Sequence, residues 1–249
     1  GGVSSFGYSG TIVHALLQDD GVARGAGRPA AASSPHYVRR SFAWSEQAHP
    51  LAQGVDAAAP SGLVRYASPA AGALRSLVAD HIVQGRVVFP GAGYLEMARA
   101  AYCAVNKAKG AVLKRAYFLQ PLMLDNVDDL NVTISIDTNA DRFELSSMGE
   151  DAQKVTHSAG DALATNGALG APASAAALGS SYAAVDIAVF YEAFRSVGLE
   201  YGPEFRALQA LWANREAGVG VGRLRRRCNR FGTQVHPADL DGALQQTAL

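Results

Sequence analysis

Cysteine is scarce in this sequence: 249 residues hold two, Cys103 and Cys228, far apart and outside any CxxC spacing. That excludes a disulfide framework and a cysteine zinc site, and it fits a reducing, intracellular compartment, cytoplasmic or organellar. An excess of charge of one sign is missing as well. The 22 Lys and Arg offset 22 Asp and Glu, which argues against a dedicated nucleic-acid binder. No basic segment followed by an apolar core opens the chain, so no secretory leader is read. The chain begins at Gly1 rather than Met and reads as part of something longer. Residues 162–185 carry no charge, but Ala, Gly, Ser and Pro dominate them and large apolar side chains are few. They read as a linker and not as a membrane span.

What is present begins with 49% hydrophobic residues, enough to build a core. Residues 1–18 look like the end of a folded unit, and the Gly, Ala, Pro and Ser of 19–36 read as linker, continued by an aromatic-bearing piece with Tyr37, Phe42 and Trp44. From Pro90 the pattern is helical. Tyr94, Ala98, Ala101 and Val105 recur on one face, and Leu95 and Tyr102 widen it, which predicts a helix over 91–106. Proline suits the first helical position, where its missing N–H costs nothing. The period then falls to two in NVTISID (131–137) and DRFELSSM (141–148), and KVTHSAG (154–160) continues as strand. One long helix followed by an antiparallel meander predicts an α+β layer, a curved sheet wrapping one helix. Further on, 185–198 reads as an amphipathic helix, with strands at ALQALW and GVGVGRL. Val88-Phe89-Pro90-Gly91 and Val235-His236-Pro237-Ala238 both read as a short strand entering a proline-started helix, roughly 150 residues apart. That points to two copies of one fold, the second lacking its last strands.

His81 is the first chemical candidate. A lone histidine is usually a satisfied core or surface residue. Here Gly85 is expected to let backbone approach closely. The helix after Pro90 points N–H groups at whatever lies before it, with Gly91 and Gly93 keeping the approach open. A base beside such an N-terminus is the pair needed to draw a proton from carbon next to a carbonyl. Asp241 is the second candidate. By itself it is an early-turn aspartate favoured by the helix dipole. Gln245, four residues on, shares its face and could hold it as a positioned acid, if burial raises its pKa against that dipole. The run RLRRRCNR (223–230) carries five arginines. It is either a solvated strand edge or loop, or a docking patch for an acidic partner.

These blocks resemble the dehydratase domains of polyketide synthases. HIVQGRVVFP matches HxxxGxxxxP through His81, Gly85 and Pro90. LEYGPEF is similar to GYxYGPxF, with Tyr201, Gly202, Pro203 and Phe205 in place and Leu199 where the first Tyr often stands. HPADLDGALQ is similar to HPALLDxxxQ through Asp241 and Gln245. HPLAQG and FLQPLML resemble the family's opening HPLLG and its PL element. Residues 1–18 resemble the tail of a ketosynthase, without that enzyme's catalytic set.

The resemblance implies a double hot dog. Residues 1–18 are then ketosynthase tail, 19–48 linker and 49–175 the first hot dog. Residues 176–249 are a linker and the first part of an incomplete second hot dog. It implies dehydration of a 3-hydroxyacyl thioester on an acyl carrier protein, with His81 and Asp241 catalytic. Tyr201, Gln245, Gly85, Pro90 and Gly91 support them. No metal or resident cofactor is implied, since the phosphopantetheine belongs to the carrier. The implied partners are the carrier protein, ketosynthase and ketoreductase neighbours, and in many family members a second copy of the domain. Two other readings stay open: an inactive spacer domain of a megasynthase, and a double-bond isomerase or cyclase built on the same site.

Overall fold

The computed structural model describes residues 2–6, 12–16, 49–56, 59–125, 130–148, 153–165 and 182–248. The chain divides into two units, Gly1–Trp44 and Ser45–Leu249. In the first, β1 (Gly2–Phe6) and β2 (Ile12–Leu16) form an antiparallel hairpin with Ser4 opposite His14. The linker expected at 19–48 lies outside the described residues.

The second unit starts with β3 (Gly54–Val55), β4 (Leu63–Pro69) and α1 (Gly72–Val78). A small hairpin follows, β5 (Ile82–Val83) and β6 (Arg86–Val87), and then α2 (Gly91–Asn106). Next come β7 (Gly110–Phe118), β8 (Asn131–Asp137), β9 (Arg142–Met148) and β10 (Lys154–Thr165). β3, β4, β8, β9, β10 and β7 join, in that order, into one six-stranded antiparallel sheet.

The predicted wrapping is real, and its cause is visible. Val132, Ile134 and Ile136 of β8 and Phe143 and Leu145 of β9 are buried, with Ile134 opposite Leu145 and Ile136 opposite Phe143. β7, β8, β9 and β10 all pack on α2. Burying each such side chain contributes roughly 1.5–3 kcal/mol. β10 shifts register twice, between Thr156 and Ser158 and again between Ala159 and Asp161. Bulges of this kind bend a strand and raise its twist, which curls the sheet about the helix.

α2 has the predicted bounds, but Pro90 stands one place earlier than expected. It is the N-cap residue, extended at φ −73° and ψ 152°, and Gly91 is the first helical residue. The helix ends at Lys107, left-handed at φ 50°, whose N–H returns to the Cys103 carbonyl.

The second sheet is β11 (Ala183–Val185), β12 (Leu208–Asn214) and β13 (Val219–Leu224), three antiparallel strands among the described residues. α3 (Ile187–Ser196) packs on β12, and α4 (Pro237–Gln245) on β13 and on α2. Two central helices, each against its own antiparallel sheet, make the double hot dog. The linker expected at 162–185 is shorter than its composition suggested. Ala162 to Thr165 end β10, paired with β7, and 183–185 are already strand; residues 166–181 lie outside the described residues. The short strand expected before Pro237 is absent, and before Pro90 only Arg86–Val87 and a single bridge at Val88 remain. Among the described residues no helix is long and apolar enough to cross a membrane.

Candidate active site

The stretch that carries His81 is held on both sides. Gln84 (φ 50°) and Gly85 (φ 74°) turn the β5–β6 hairpin, and two consecutive positive φ angles are what a tight hairpin of this hand requires. This corrects the expected role of Gly85. Nothing lies within 4 Å of where its Cβ would stand, so it supplies the turn and not a close approach. On one side, the Gln84 N–H donates to the Gly198 carbonyl at 2.7 Å and the Glu200 N–H to the Ile82 carbonyl at 2.8 Å. On the other, the PL element pairs with the approach to α2. Phe89 N–H donates to the Leu122 carbonyl and Leu124 N–H to the Val87 carbonyl, both at 2.8 Å. One hairpin therefore ties the His81 segment to the Tyr201 segment and to the start of α2.

His81 is buried, and its Nδ1 lies 2.7 Å from the Val88 carbonyl oxygen. A carbonyl only accepts, so Nδ1 carries the hydrogen and donates it. Nε2 is left as the basic nitrogen. The ring meets Phe205 edge-on at 5.2 Å and Tyr201 at 5.5 Å. Burial lowers the His81 pKa, opposed by the Asp241 charge and the Val88 carbonyl. Asp241 is buried too, and burial raises its pKa, opposed by His81 and by Gln245. The net direction at Asp241 is upward, as the sequence reading required of a positioned acid set against the helix dipole. Burial biases His81 toward its neutral form and Asp241 toward its protonated form, and the two interact electrostatically; acid–base work near neutral pH needs both biases.

Gln245 holds Asp241 as expected. Its Nε2 donates to Asp241 Oδ2 at 2.9 Å and to the Phe205 carbonyl at 3.1 Å. Both partners are acceptors, which fixes the amide's orientation. Tyr201 is buried against His81, and burial together with the nearby Asp241 charge pushes its pKa well up. The Gly91 position is less open than expected, because the Phe118 ring lies 3.3 Å from where a Cβ would be. Gly93 makes room for the Phe89 ring, 2.7 Å from its own Cβ position, and not for a ligand. The first helical N–H groups, at Gly91 and Ala92, precede the first bond into the helix, which Gly93 donates to the Pro90 carbonyl at 2.9 Å.

Two positioning residues escaped the sequence reading. Tyr191 Oη donates to Gln245 Oε1 at 3.2 Å and accepts from the Leu208 N–H at 3.2 Å. Only its place on the apolar face of α3 was legible. Tyr191→Phe removes a hydrogen bond from Gln245 Oε1 and leaves the Leu208 N–H without its hydroxyl partner. We expect a several-fold drop in turnover and a stability loss of about 1–2 kcal/mol, read by steady-state kinetics and thermal melting.

Asp80 is the other. Its Oδ2 accepts from the Glu204 N–H at 2.8 Å, and its carbonyl accepts from the Gly202 N–H at 2.8 Å. A Cβ on Gly202 would stand 2.5 Å from Asp80 Cγ. Gly202→Ala therefore pushes the residue beside the His81 base. We expect about 1–3 kcal/mol of destabilisation and a fall in turnover that persists at temperatures where the variant is fully folded. Melting curves and assays of the same preparation check this.

The arginine run is partly structural. Arg227, its side chain 8% exposed, pairs with Glu204 and with Asp239, the latter at 3.0 Å, and Arg225 reaches Glu204 at 3.3 Å. They brace the GPEF turn against α4 instead of forming a free docking patch. Arg223, Arg226 and Arg230 are exposed.

The geometry is that of a family. The family model for the polyketide synthase dehydratase domain matches residues 49–148, and that for the polyketide synthase dehydratase N-terminal domain matches 170–249. The chain belongs to the polyketide synthase dehydratases. Among curated relatives, polyketide synthase ThaG of Burkholderia thailandensis is 32% identical over 178 residues, 68% of this chain and 3% of that protein. Mycoketide-CoA synthase of Mycobacterium tuberculosis is 31% identical over 209 residues, 81% of this chain and 5% of that protein. The chain thus spans a small fraction of the curated relatives it matches. Among solved structures, the dehydratase domain from the CurF module of the curacin polyketide synthase superposes with a TM-score of 0.68 at 27% identity, covering 80% of this chain and 75% of that one. The dehydratase domain of a mycocerosic acid synthase-like polyketide synthase gives 0.70 at 24% identity, covering 82% and 74%.

Proposed function

We propose that this dehydratase domain removes water from a 3-hydroxyacyl thioester presented on the phosphopantetheine arm of an acyl carrier protein. The observation that carries this reading is the buried pair, His81 with Nε2 left basic by the Nδ1–Val88 bond and Asp241 biased toward its protonated form. His81 Nε2 takes the α-proton. Negative charge then develops on the thioester oxygen, and the N–H groups at the start of α2 would stabilise it. The Cβ–O bond breaks, Asp241 gives its proton to the departing hydroxyl, and the electron pair from Cα–H becomes the Cα–Cβ double bond. Water and an α,β-enoyl thioester leave, and Gln245 and Tyr201 keep the carboxyl side in place. Neighbouring ketosynthase and ketoreductase domains would supply such a substrate and extend such a product.

The test is mass spectrometry of the acyl group after incubation with 3-hydroxyacyl carrier proteins of several chain lengths. Loss of one water supports the proposal. An unchanged mass with a folded protein favours the spacer reading. Movement of the double bond when an enoyl carrier is supplied instead favours the isomerase.

A further inference from the structure

Glu96 lies in the middle of α2 with its side chain 1% exposed, where the helix pattern gave no reason for a carboxylate. Three segments donate to it. Arg99, one turn on, gives Nε to Oε2 and Nη2 to Oε1, both at 2.7 Å. His49 of the HPLAQG turn has its Nδ1 accepting from the Leu51 N–H at 3.2 Å, so Nε2 carries the hydrogen and donates to Glu96 Oε1 at 3.3 Å. The third donor is the backbone N–H of Gln234, at 2.7 Å from Oε1. Gln234 lies two residues before His236, whose Nδ1 accepts from the Ala238 N–H and caps α4. Burial alone would raise the Glu96 pKa, yet the bonds from Arg99 and His49 and the Gln234 N–H hold it at about 2. The group is an ionised acceptor throughout the working pH range.

We propose that Glu96 is a positioning residue for the acid–base pair: by accepting the Gln234 N–H it locks the entry of α4 onto α2 and so sets where Asp241 stands relative to His81. His81 is tied to the start of α2 through Val88, while Asp241 rides on α4. An acceptor on α2 for the last residues before α4 therefore joins the two halves of the site. Arg99 neutralises the charge that this acceptor brings into the core, and His49 gives it one further hydrogen bond. The catalytic part of this assignment rests on the proposed dehydration; the α2–α4 link does not.

The test uses two double variants of the full chain. Glu96→Gln with Arg99→Met removes both charges and keeps a carbonyl oxygen for Gln234. Glu96→Met with Arg99→Met removes the acceptor as well. Replacing a buried ion pair by apolar groups of similar size is often tolerated. In the variant without the acceptor we expect amide hydrogen exchange across residues 233–245 to rise about tenfold or more. The carboxyl carbon resonance of Asp241 should shift, and kcat should fall about 10- to 100-fold, as a displacement on the order of 1 Å costs. KM should stay within about twofold. The variant that keeps the acceptor should resemble the wild type in all four.

Equal exchange, equal resonance and equal kcat in the two variants would overturn the assignment. So would equal loss in both, which would give the effect to the charge and not to the acceptor. Unfolding of the acceptor-less variant alone would make Glu96 a residue of the fold and would overturn its role in the site. If the wild type shows no dehydration, the proposed function fails, and exchange with the Asp241 resonance still decides the α2–α4 link.

Discussion

His81→Ala is expected to lower dehydration by about 1,000-fold or more while the fold persists. The variant loses Nε2, the one basic nitrogen that the Nδ1–Val88 bond leaves facing the site. General-base catalysis typically contributes 10²- to 10⁴-fold. The backbone around it is held without the ring: the Val88 N–H still donates to the residue 81 carbonyl at 3.1 Å, and the residue 81 N–H to the Val78 carbonyl at 2.9 Å. Removing the imidazole leaves the Val88 carbonyl short of one donor, at a cost of about 1–3 kcal/mol.

The pH profile makes the assignment specific. Burial lowers the His81 pKa, so the neutral base persists below the range of an ordinary imidazole. As pH falls through that lowered value the base takes a proton and kcat/KM drops about tenfold per unit. The wild type should show this acidic limb at lower pH than a free histidine would give, and the residual activity of His81→Ala should show none. A retained acidic limb in the variant would assign it to another group. Circular dichroism and a thermal melt accompany the assay, so that loss of chemistry is not confused with loss of fold.

Much of this site is legible in the sequence because its parts are local. The start of α2 follows from a proline and two small residues, and its extent from an apolar stripe that no breaker interrupts. β8 is legible because Val132, Ile134 and Ile136 alternate with polar residues. The pairing of Asp241 with Gln245 is a one-turn spacing on a single helix. What escapes is set by contacts far apart in sequence. Asp80 reads only as the residue beside His81 until the turn at 202–204 folds back onto it. Tyr191 reads as one more aromatic on an amphipathic helix until Leu208 and Gln245 arrive on either side of its hydroxyl. Glu96 reads as one of the few polar residues on a mostly buried helix until the segments of His49 and Gln234 close on it.

The end of β10 escapes for another reason. Its Ala162 is fully buried, yet the composition of that stretch is that of a linker; there the backbone ladder with β7, and not side-chain volume, makes the strand. α1 is short, β4 is half-buried along most of its length without alternation, and β7 is an edge strand with Val112, Tyr117 and Phe118 exposed, so none shows a clean period. The arginine run misleads in the opposite sense. A dense local signal suggests a surface, and one of its members, Arg227, is spent inside.

Asp241→Asn is expected to cost dehydration about 100-fold or more and to change the pH profile at its alkaline end. The substitution is close to isosteric. The side-chain oxygen of the new amide can still accept the Gln245 Nε2 hydrogen, and Gln245 keeps its bond to the Phe205 carbonyl, so α4 stays in place. What disappears is a transferable proton. Burial raises the Asp241 pKa, so the acid form survives above the ordinary carboxylate range and is lost as pH rises through that raised value. The wild type should therefore show an alkaline limb that the variant lacks.

The acidic limb should stay where it is. An ionised Asp241 would raise the His81 pKa, but where His81 takes its proton the carboxyl of the working form already carries its own and is neutral. A neutral amide in its place changes no charge beside the imidazole. Loss of the alkaline limb with the acidic one retained is a signature that a purely structural aspartate would not produce. An Asp241→Asn variant that loses turnover and leaves both limbs in place would reduce Asp241 to a packing residue and leave His81 to handle both protons alone.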